Sequence, residues 1–249
     1  MKVFVLNLRS HYKKGKAILK FFAIAMIFVI LASVGAKAYI ESDAYEEAIS
    51  SVAEKVTVIL DAGHGGEDCG AIGVNGIYEK DLNMSIATEL GEMLSSRGFA
   101  VVYTRTTDAL LYTEEENIHG MRKIYDLKNR CKIGAEYPNA IYISIHMNSY
   151  KSAECAGLQV YYSENNDESR ALAGAVQNSV RSELQRENNR QIKKGKGIYL
   201  MENLNNPAIL IECGFLTNPK ECEKLSEKEY QKELSFAIIC GIIEYTSNR

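Results

Sequence analysis

Beyond Val56 the hydrophobic positions of the chain alternate between two spacings. Val56-Thr57-Val58-Ile59-Leu60 is a short β-branched run that stops at Asp61-Ala62-Gly63, the pattern of a buried strand ending in a turn. Leu82, Ile86, Leu90, Met93 and Leu94 then fall at helical spacing and predict a helix over 79–97, stopped by Gly98. The same reading predicts strands at Phe99–Tyr103, Ala140–Ile145, Gly157–Tyr162 and Ala208–Ile211. It predicts helices at Glu114–Ile133, with Met121, Ile124 and Leu127 on one side, and at Ser169–Leu184, with Leu172, Val176, Val180 and Leu184 in register. A closing helix spans Glu227–Tyr245. Strands separated by helices imply a sheet covered on both faces, a three-layer α/β fold. No internal repeat or low-complexity tract interrupts the pattern, so residues 56–249 are expected to form one domain.

The N-terminus follows different rules. His11, Lys13, Lys14, Lys16 and Lys20 precede an apolar run from Phe21 to Ala36, and Ala36-Lys37-Ala38 offers small residues to a signal peptidase. The run is long for a signal h-region and short for a span of about 20 residues, so residues 1–38 read as a signal peptide or an N-terminal membrane anchor. Either reading puts the remainder outside the cytoplasm, with the basic end inside. Residues 39–55, polar and rich in Ala and Glu, read as a spacer.

Composition narrows the function classes. A net charge of −3 and a pI near 5.9 argue against a general nucleic-acid binder, which carries a basic face. A domain of roughly 200 residues buries enough surface to fold without a metal or disulfide staple, so a bound metal would serve chemistry. None of the six cysteines (Cys69, Cys131, Cys155, Cys213, Cys222, Cys240) forms a C-x-x-C pair, and buried free thiols are expected.

Four polar residues stand out against the apolar pattern, and each has an innocent reading. His64 follows the first strand among glycines, in Asp61-Ala62-Gly63-His64-Gly65-Gly66-Glu67-Asp68. That spacing is neither G-x-G-x-x-G nor a P-loop, although a turn with an incidental histidine is open. Glu79 begins a helix, where the dipole alone favours a carboxylate. His146, in Ser144-Ile145-His146-Met147-Asn148, directly follows the third strand and could be a hydrogen-bonded rim residue. Glu212 follows Ile209-Leu210-Ile211, where a charge is costly to bury without a partner. Together, two imidazoles and a carboxylate suit a hydrolytic zinc centre with an open coordination position, and a second carboxylate can move protons. His11 lies before the apolar run and His119 in a polar stretch, and no H-E-x-x-H is present, which excludes the thermolysin arrangement.

These motifs resemble those of the zinc-dependent N-acetylmuramoyl-L-alanine amidases of the amidase-3 type. The likeness covers about Val56 to Tyr245. It is carried by Gly63-His64-Gly65-Gly66 with Asp68 and Gly70-Ala71, Gly76 followed by Glu79, Ser144-Ile145-His146 with Asn148, and Ile211-Glu212-Cys213-Gly214-Phe215-Leu216 with Asn218. The resemblance implies a single three-layer αβα domain with a mixed, twisted sheet of about six strands. It implies His64, Glu79 and His146 as ligands of one zinc ion and Glu212 as the catalytic carboxylate. The implied reaction is cleavage of peptidoglycan between the lactyl group of muramic acid and the first L-alanine of the stem peptide. Two positions depart from the pattern: Ala62 stands where proline is common, and Cys213 follows the glutamate.

Some relatives carry a long insertion after the second histidine motif that folds over the site as an inhibitory helix. Here Met147–Ala156 is too short for one, so an open groove is expected, with control left to an activating protein partner, tethering or expression. No appended wall-binding repeats are expected. The compact, N-terminally anchored layout is similar to family members that trim spore-cortex peptidoglycan before muramic-lactam formation. A zinc peptidase acting on stem peptides and a non-catalytic wall-binding scaffold are the competing readings. Among other polar residues, Arg105 is expected in a structural ion pair rather than on substrate, Asn148 on substrate or fixing the His146 loop, and Arg181–Lys196 as a solvated helix end and loop.

Overall fold

The computed structural model describes residues 56–248 and, before them, Met26 alone, so the signal or anchor segment and the spacer lie outside the described residues. Among the described residues no helix is long and apolar enough to cross a membrane. The elements follow in the order β1 (Thr57–Ala62), α1 (Glu79–Ser95), β2 (Ala100–Tyr103), α2 (Arg122–Glu136), β3 (Ile141–Asn148), β4 (Gln159–Tyr162), α3 (Glu168–Glu183), β5 (Lys193–Lys194), α4 (Tyr199–Asn203), β6 (Ala208–Phe215), α5 (Pro219–Ser226) and α6 (Lys228–Ser247). The six strands form one mixed sheet in the order β2-β1-β3-β6-β4-β5, in which β4 runs antiparallel to β6 and the other neighbours are parallel.

Strand periodicity decides which face does what. On β3, Ile141, Ile143, Ile145 and Met147 point into a large apolar core with Leu82, Ile86 and Leu90 of α1, Leu172 and Val176 of α3, and Ile238 and Ile242 of α6. The alternate residues Tyr142, Ser144 and His146 lie on the other face, where α2 and α4 cover a smaller core of Ile59, Tyr142, Leu200, Met201 and Leu210. Helices on both faces of the sheet make the three-layer αβα domain anticipated from the alternation. The second face is the thinly covered one, and the candidate site opens there.

Several boundaries differ from the expected ones for physical reasons. The helix expected from Glu114 begins only at Arg122. Thr113 and Glu116 do form a reciprocal capping pair, with Thr113 N donating to Glu116 Oε2 at 3.0 Å and Glu116 N to Thr113 Oγ1 at 3.3 Å. Gly120, at φ +81°, breaks that turn before it can propagate. Of the three apolar positions expected on one side, Leu127 packs against the smaller core, whereas Ile124 and Met121, the residue before α2, are exposed and the buried positions include Asp126 and Arg130. The third and last main strands run past their predicted ends, to Asn148 and Phe215, because β3 and β6 continue to pair there; His146 and Glu212 therefore lie within strands. Arg181–Lys196 is built rather than merely solvated: Arg181 donates to the carbonyls of Asn188 and Arg190, and β5 pairs with β4. All six cysteines are unpaired.

Candidate active site

β1 delivers His64 on a backbone that only tight local packing can hold. Gly63 N donates to Ile145 O at 3.1 Å, and a Cβ at Gly63 would fall 2.2 Å from the His146 ring, so no side chain fits there. His64 itself has φ +61°, unlike any other non-glycine among the described residues, a conformation that costs roughly 1–2 kcal/mol. Two arginines hold this turn by its carbonyls. Arg105 donates to Ala62 O (2.7 Å), Gly63 O (3.1 Å) and Lys80 O (3.0 Å), and Arg130 to Ala62 O (2.9 Å) and His64 O (2.8 Å). Arg105 is thus structural, as expected, although its partners are backbone carbonyls rather than the acid of an ion pair. The His64 ring is fixed by Nδ1 against Asp68 Oδ2 at 2.8 Å, which turns Nε2 toward Glu79 Oε1 at 3.2 Å.

Glu79 opens α1 and is buried to 3% exposure. Its Oε2 accepts from Ala71 N at 2.7 Å and its Oε1 from Met147 N at 3.0 Å, while His146 Nδ1 lies 2.9 Å from Oε1. Asn83, one turn along α1, donates to Gly63 O at 3.1 Å and so ties the helix to the His64 turn. Burial alone would raise the Glu79 pKa, but the imidazoles of His146 and His64 hold it far below the carboxylate range. Burial would likewise lower His64, yet hydrogen bonds to Asp68 and Glu79 raise it to about 9. One donor atom from each of His64, Glu79 and His146 lies within 4.8 Å of the other two.

Glu212 is the register partner of His146 on the neighbouring strand and therefore shares its face. Its Oε2 is buried with no hydrogen-bond partner. Burial, reinforced by the Glu79 charge and only partly offset by the imidazoles, raises its pKa to about 7. A carboxyl group poised there can both accept and return a proton near neutral pH. His64 and His146 line a hollow of about 250 Å³ together with Asp68, Lys123, Tyr199 and Leu210. Between Asn148 and β4 the chain forms only turns and loop, so no helix lies over this hollow from that segment.

The structure brings all four expected residues to one place, on supports that the sequence pattern did not reveal. Asp61 is fully buried beneath the site, accepts from Thr104 Oγ1 (2.7 Å) and Ser144 Oγ (2.6 Å), and pairs with the buried Arg130, whose Nε also binds Asp126 at 2.9 Å. The signal for this was present as charged residues on an otherwise ordinary helix.

The sequence profile of the N-acetylmuramoyl-L-alanine amidase family Amidase_3 matches residues 58–244, three quarters of the chain and every element of the sheet. The chain belongs to this family. The amidase is 32% identical over 231 residues to the germination-specific N-acetylmuramoyl-L-alanine amidase of Bacillus subtilis (strain 168), covering 93% of this chain and 96% of that one. Its fold matches that of the CwlD amidase from Clostridioides difficile, solved in complex with the GerS lipoprotein, with a TM-score of 0.75 and 38% identity over 78% of this chain and 100% of that one. The N-acetylmuramoyl-L-alanine amidase from Clostridium difficile 630 is also similar, with a TM-score of 0.67 and 31% identity over 78% of this chain and 98% of that one. The amidase is accordingly a peptidoglycan hydrolase with a mixed six-stranded αβα domain and a His-Glu-His cluster able to hold a metal ion.

Proposed function

We propose that the amidase holds one zinc ion on His64, Glu79 and His146 and uses Glu212 to move the proton. The observation that carries this is the convergence of the three donor atoms within 4.8 Å, with Glu212 next to His146 in register. The donor set fits the ion: two imidazoles and one carboxylate make a hydrolytic rather than a purely structural zinc set. Asp68 on His64 Nδ1 supplies the carboxylate that orients a ligating imidazole and fixes its tautomer. Zinc held there would supply Lewis-acid activation of water and of the amide carbonyl. Glu212 takes a proton from the attacking water and delivers it to the alanine nitrogen as the carbon–nitrogen bond breaks. The products are a lactyl carboxylate on the muramic acid and a free L-alanine amino terminus.

The apolar run Phe21–Ala36 holds the enzyme at the outer face of a membrane or directs its secretion, and the catalytic domain works in the cell wall. Likeness to a germination-specific amidase supports a role in spore-cortex maturation, and likeness to an amidase solved with a lipoprotein supports a protein partner. Digestion of purified peptidoglycan, with zinc and with a lysate of sporulating cells supplying any partner, tests the reaction. New L-alanine amino termini together with lactyl-ended glycans are expected. Cleavage between amino acids would make the enzyme a peptidase, and polymer left unchanged under both conditions would make it a scaffold.

Two substitutions test the metal set directly. His64→Ala is expected to weaken zinc affinity by at least about 10–100-fold, the range seen even for losses around a site's ligands, and to leave the far-ultraviolet spectrum unchanged. Gly63→Ala places a methyl 2.2 Å from the His146 ring and should displace that imidazole, with a comparable loss in a zinc-competition titration. Wild-type zinc affinity in both variants would remove these residues from the metal site.

A further inference from the structure

Sheet register extends the candidate site sideways along one face. His146 on β3 pairs with Glu212 on β6, which pairs with Gln159 on β4. In the next row Ser144 pairs with Leu210, Leu210 with Tyr161, and Tyr161 with Lys193 on β5. Register partners, and residues two apart on a strand, share a face, so Gln159, Tyr161 and Lys193 lie on the face that carries His146 and Glu212. Leu210 lines the same hollow as His64 and His146, so the second row leads from that hollow outward to Lys193.

This flank carries cations that are not consumed by neighbouring acids. Lys193 is exposed and joins none of the ion pairs among the described residues, whereas Lys194, pointing to the opposite face, is tied to Glu164. Arg190 is held in place without an acid: its guanidinium stacks over the Phe215 ring at 4.5 Å, Nε donates to Ala156 O at 2.7 Å, and Nη1 donates to Gln159 Oε1 at 3.3 Å. Its Nη2 makes no hydrogen bond among the described residues. Glu221, an acid within electrostatic reach of Arg190, has its two oxygens bonded to the backbone N–H groups of Gly157 and Phe215. On the other side of the hollow the cation Lys123 is already paired with Asp68 at 3.0 Å.

We infer that Arg190 and Lys193 form a carboxylate subsite that aligns the peptide part of the substrate across β6, β4 and β5. This rests on the amidase reaction proposed above and adds a direction to it. A stem peptide carries at least its terminal carboxylate, and the uncommitted cations on this side of the groove offer that group charge-assisted hydrogen bonds. Arg190 and Lys193 thereby set specificity, while Glu212 and the metal ligands perform the cleavage.

The test compares a soluble muramyl peptide bearing free carboxylates with the same compound amidated at each of them. Steady-state hydrolysis is measured for the wild type, Arg190→Gln, Lys193→Gln and Lys193→Glu, and equilibrium binding of both compounds is measured on Glu212→Gln protein with and without each substitution. Wild-type protein is expected to favour the free acid by about tenfold, expressed in KM rather than kcat. Arg190→Gln should bring that ratio toward one, Lys193→Gln should reduce it about threefold, and Lys193→Glu should invert the contribution of that site. Lys193 is exposed, so its variants report even if Arg190→Gln disturbs the Phe215 packing. A ratio near one in the wild type, or the wild-type ratio kept by both lysine variants, overturns the subsite while cleavage at the muramyl–alanine amide still stands. Cleavage at a different bond overturns the parent reading whatever the ratio.

Discussion

Glu212→Gln is expected to lower kcat/KM by about 10³-fold while zinc remains bound stoichiometrically, since general acid–base catalysis contributes roughly 10²–10⁴. The amide is nearly isosteric with the carboxylate and is no proton acceptor at neutral pH. Glutamine forfeits no hydrogen bond at Oε2, which is buried and has no partner. Replacing an unpartnered buried acid should leave the denaturation midpoint unchanged or raise it, the pattern of a residue retained for chemistry rather than stability. Turnover and bound zinc are measured on one preparation, by product release and by elemental analysis. Hydrolysis within a few-fold of wild type would sink the assignment of the proton shuttle. Loss of zinc together with activity would instead move Glu212 into the metal's own ligand set.

The four candidate site residues are conspicuous in the sequence and the side chains that support them are not, and the reason is physical. His64, Glu79, His146 and Glu212 each stand in an apolar or glycine-rich context, within or just after a strand or at a helix start, where a polar residue is conspicuous. On β3 even the facing was readable, with Ile141, Ile143 and Ile145 set against Tyr142, Ser144 and His146. Supports that act through backbone carbonyls leave no such mark. The partners of Arg105 and Arg130 in the His64 turn are carbonyl groups of Ala62, Gly63 and His64, which any residue supplies. Two of the three apolar positions expected on α2 misled for a related reason. Asp61, fully buried at the end of β1, requires a cation, and that requirement turned the helix so that Arg130 and Asp126 face inward and Met121 and Ile124 face out. A two-residue strand such as β5 has too few positions to show a period, and its placement depends on pairing with β4. The short helix α5 was more legible than the expected elements allowed: Asn218-Pro219 is an N-cap followed by proline at the first helical position, and the Asn218 side chain accepts from Lys220 N and Glu221 N.

Arg130→Ala is expected to destabilise the domain by about 3–5 kcal/mol, because it leaves charged partners buried without a counterion. Arg130, Asp61 and Asp126 are exposed by only 1%, 0% and 2%, so solvent cannot take over the role of the guanidinium. Against a typical stability of about 5–15 kcal/mol this is a large fraction, and the denaturant midpoint should fall accordingly. The same change releases the carbonyls of Ala62 and His64, so zinc affinity should fall as well even where the protein is still folded. Asp61→Asn separates the charge from the packing, and pH gives the sign. Burial would raise the Asp61 pKa, but Arg130 beside it and the hydroxyls of Ser144 and Thr104 hold it below its ordinary 3.8. A carboxylate with a depressed folded-state pKa contributes stability that is present above 3.8 and is lost as the pH falls through the lower folded value. Wild-type stability should therefore decline below about pH 3.8 more steeply than that of Asp61→Asn, which starts lower at neutral pH and lacks this component. Urea unfolding of both proteins from neutral pH to below pH 3 measures the two curves. Parallel curves, or an Arg130→Ala protein within about 1 kcal/mol of wild type, would mean that the buried pair is worth no more than an exposed one and that the His64 turn is held by other means.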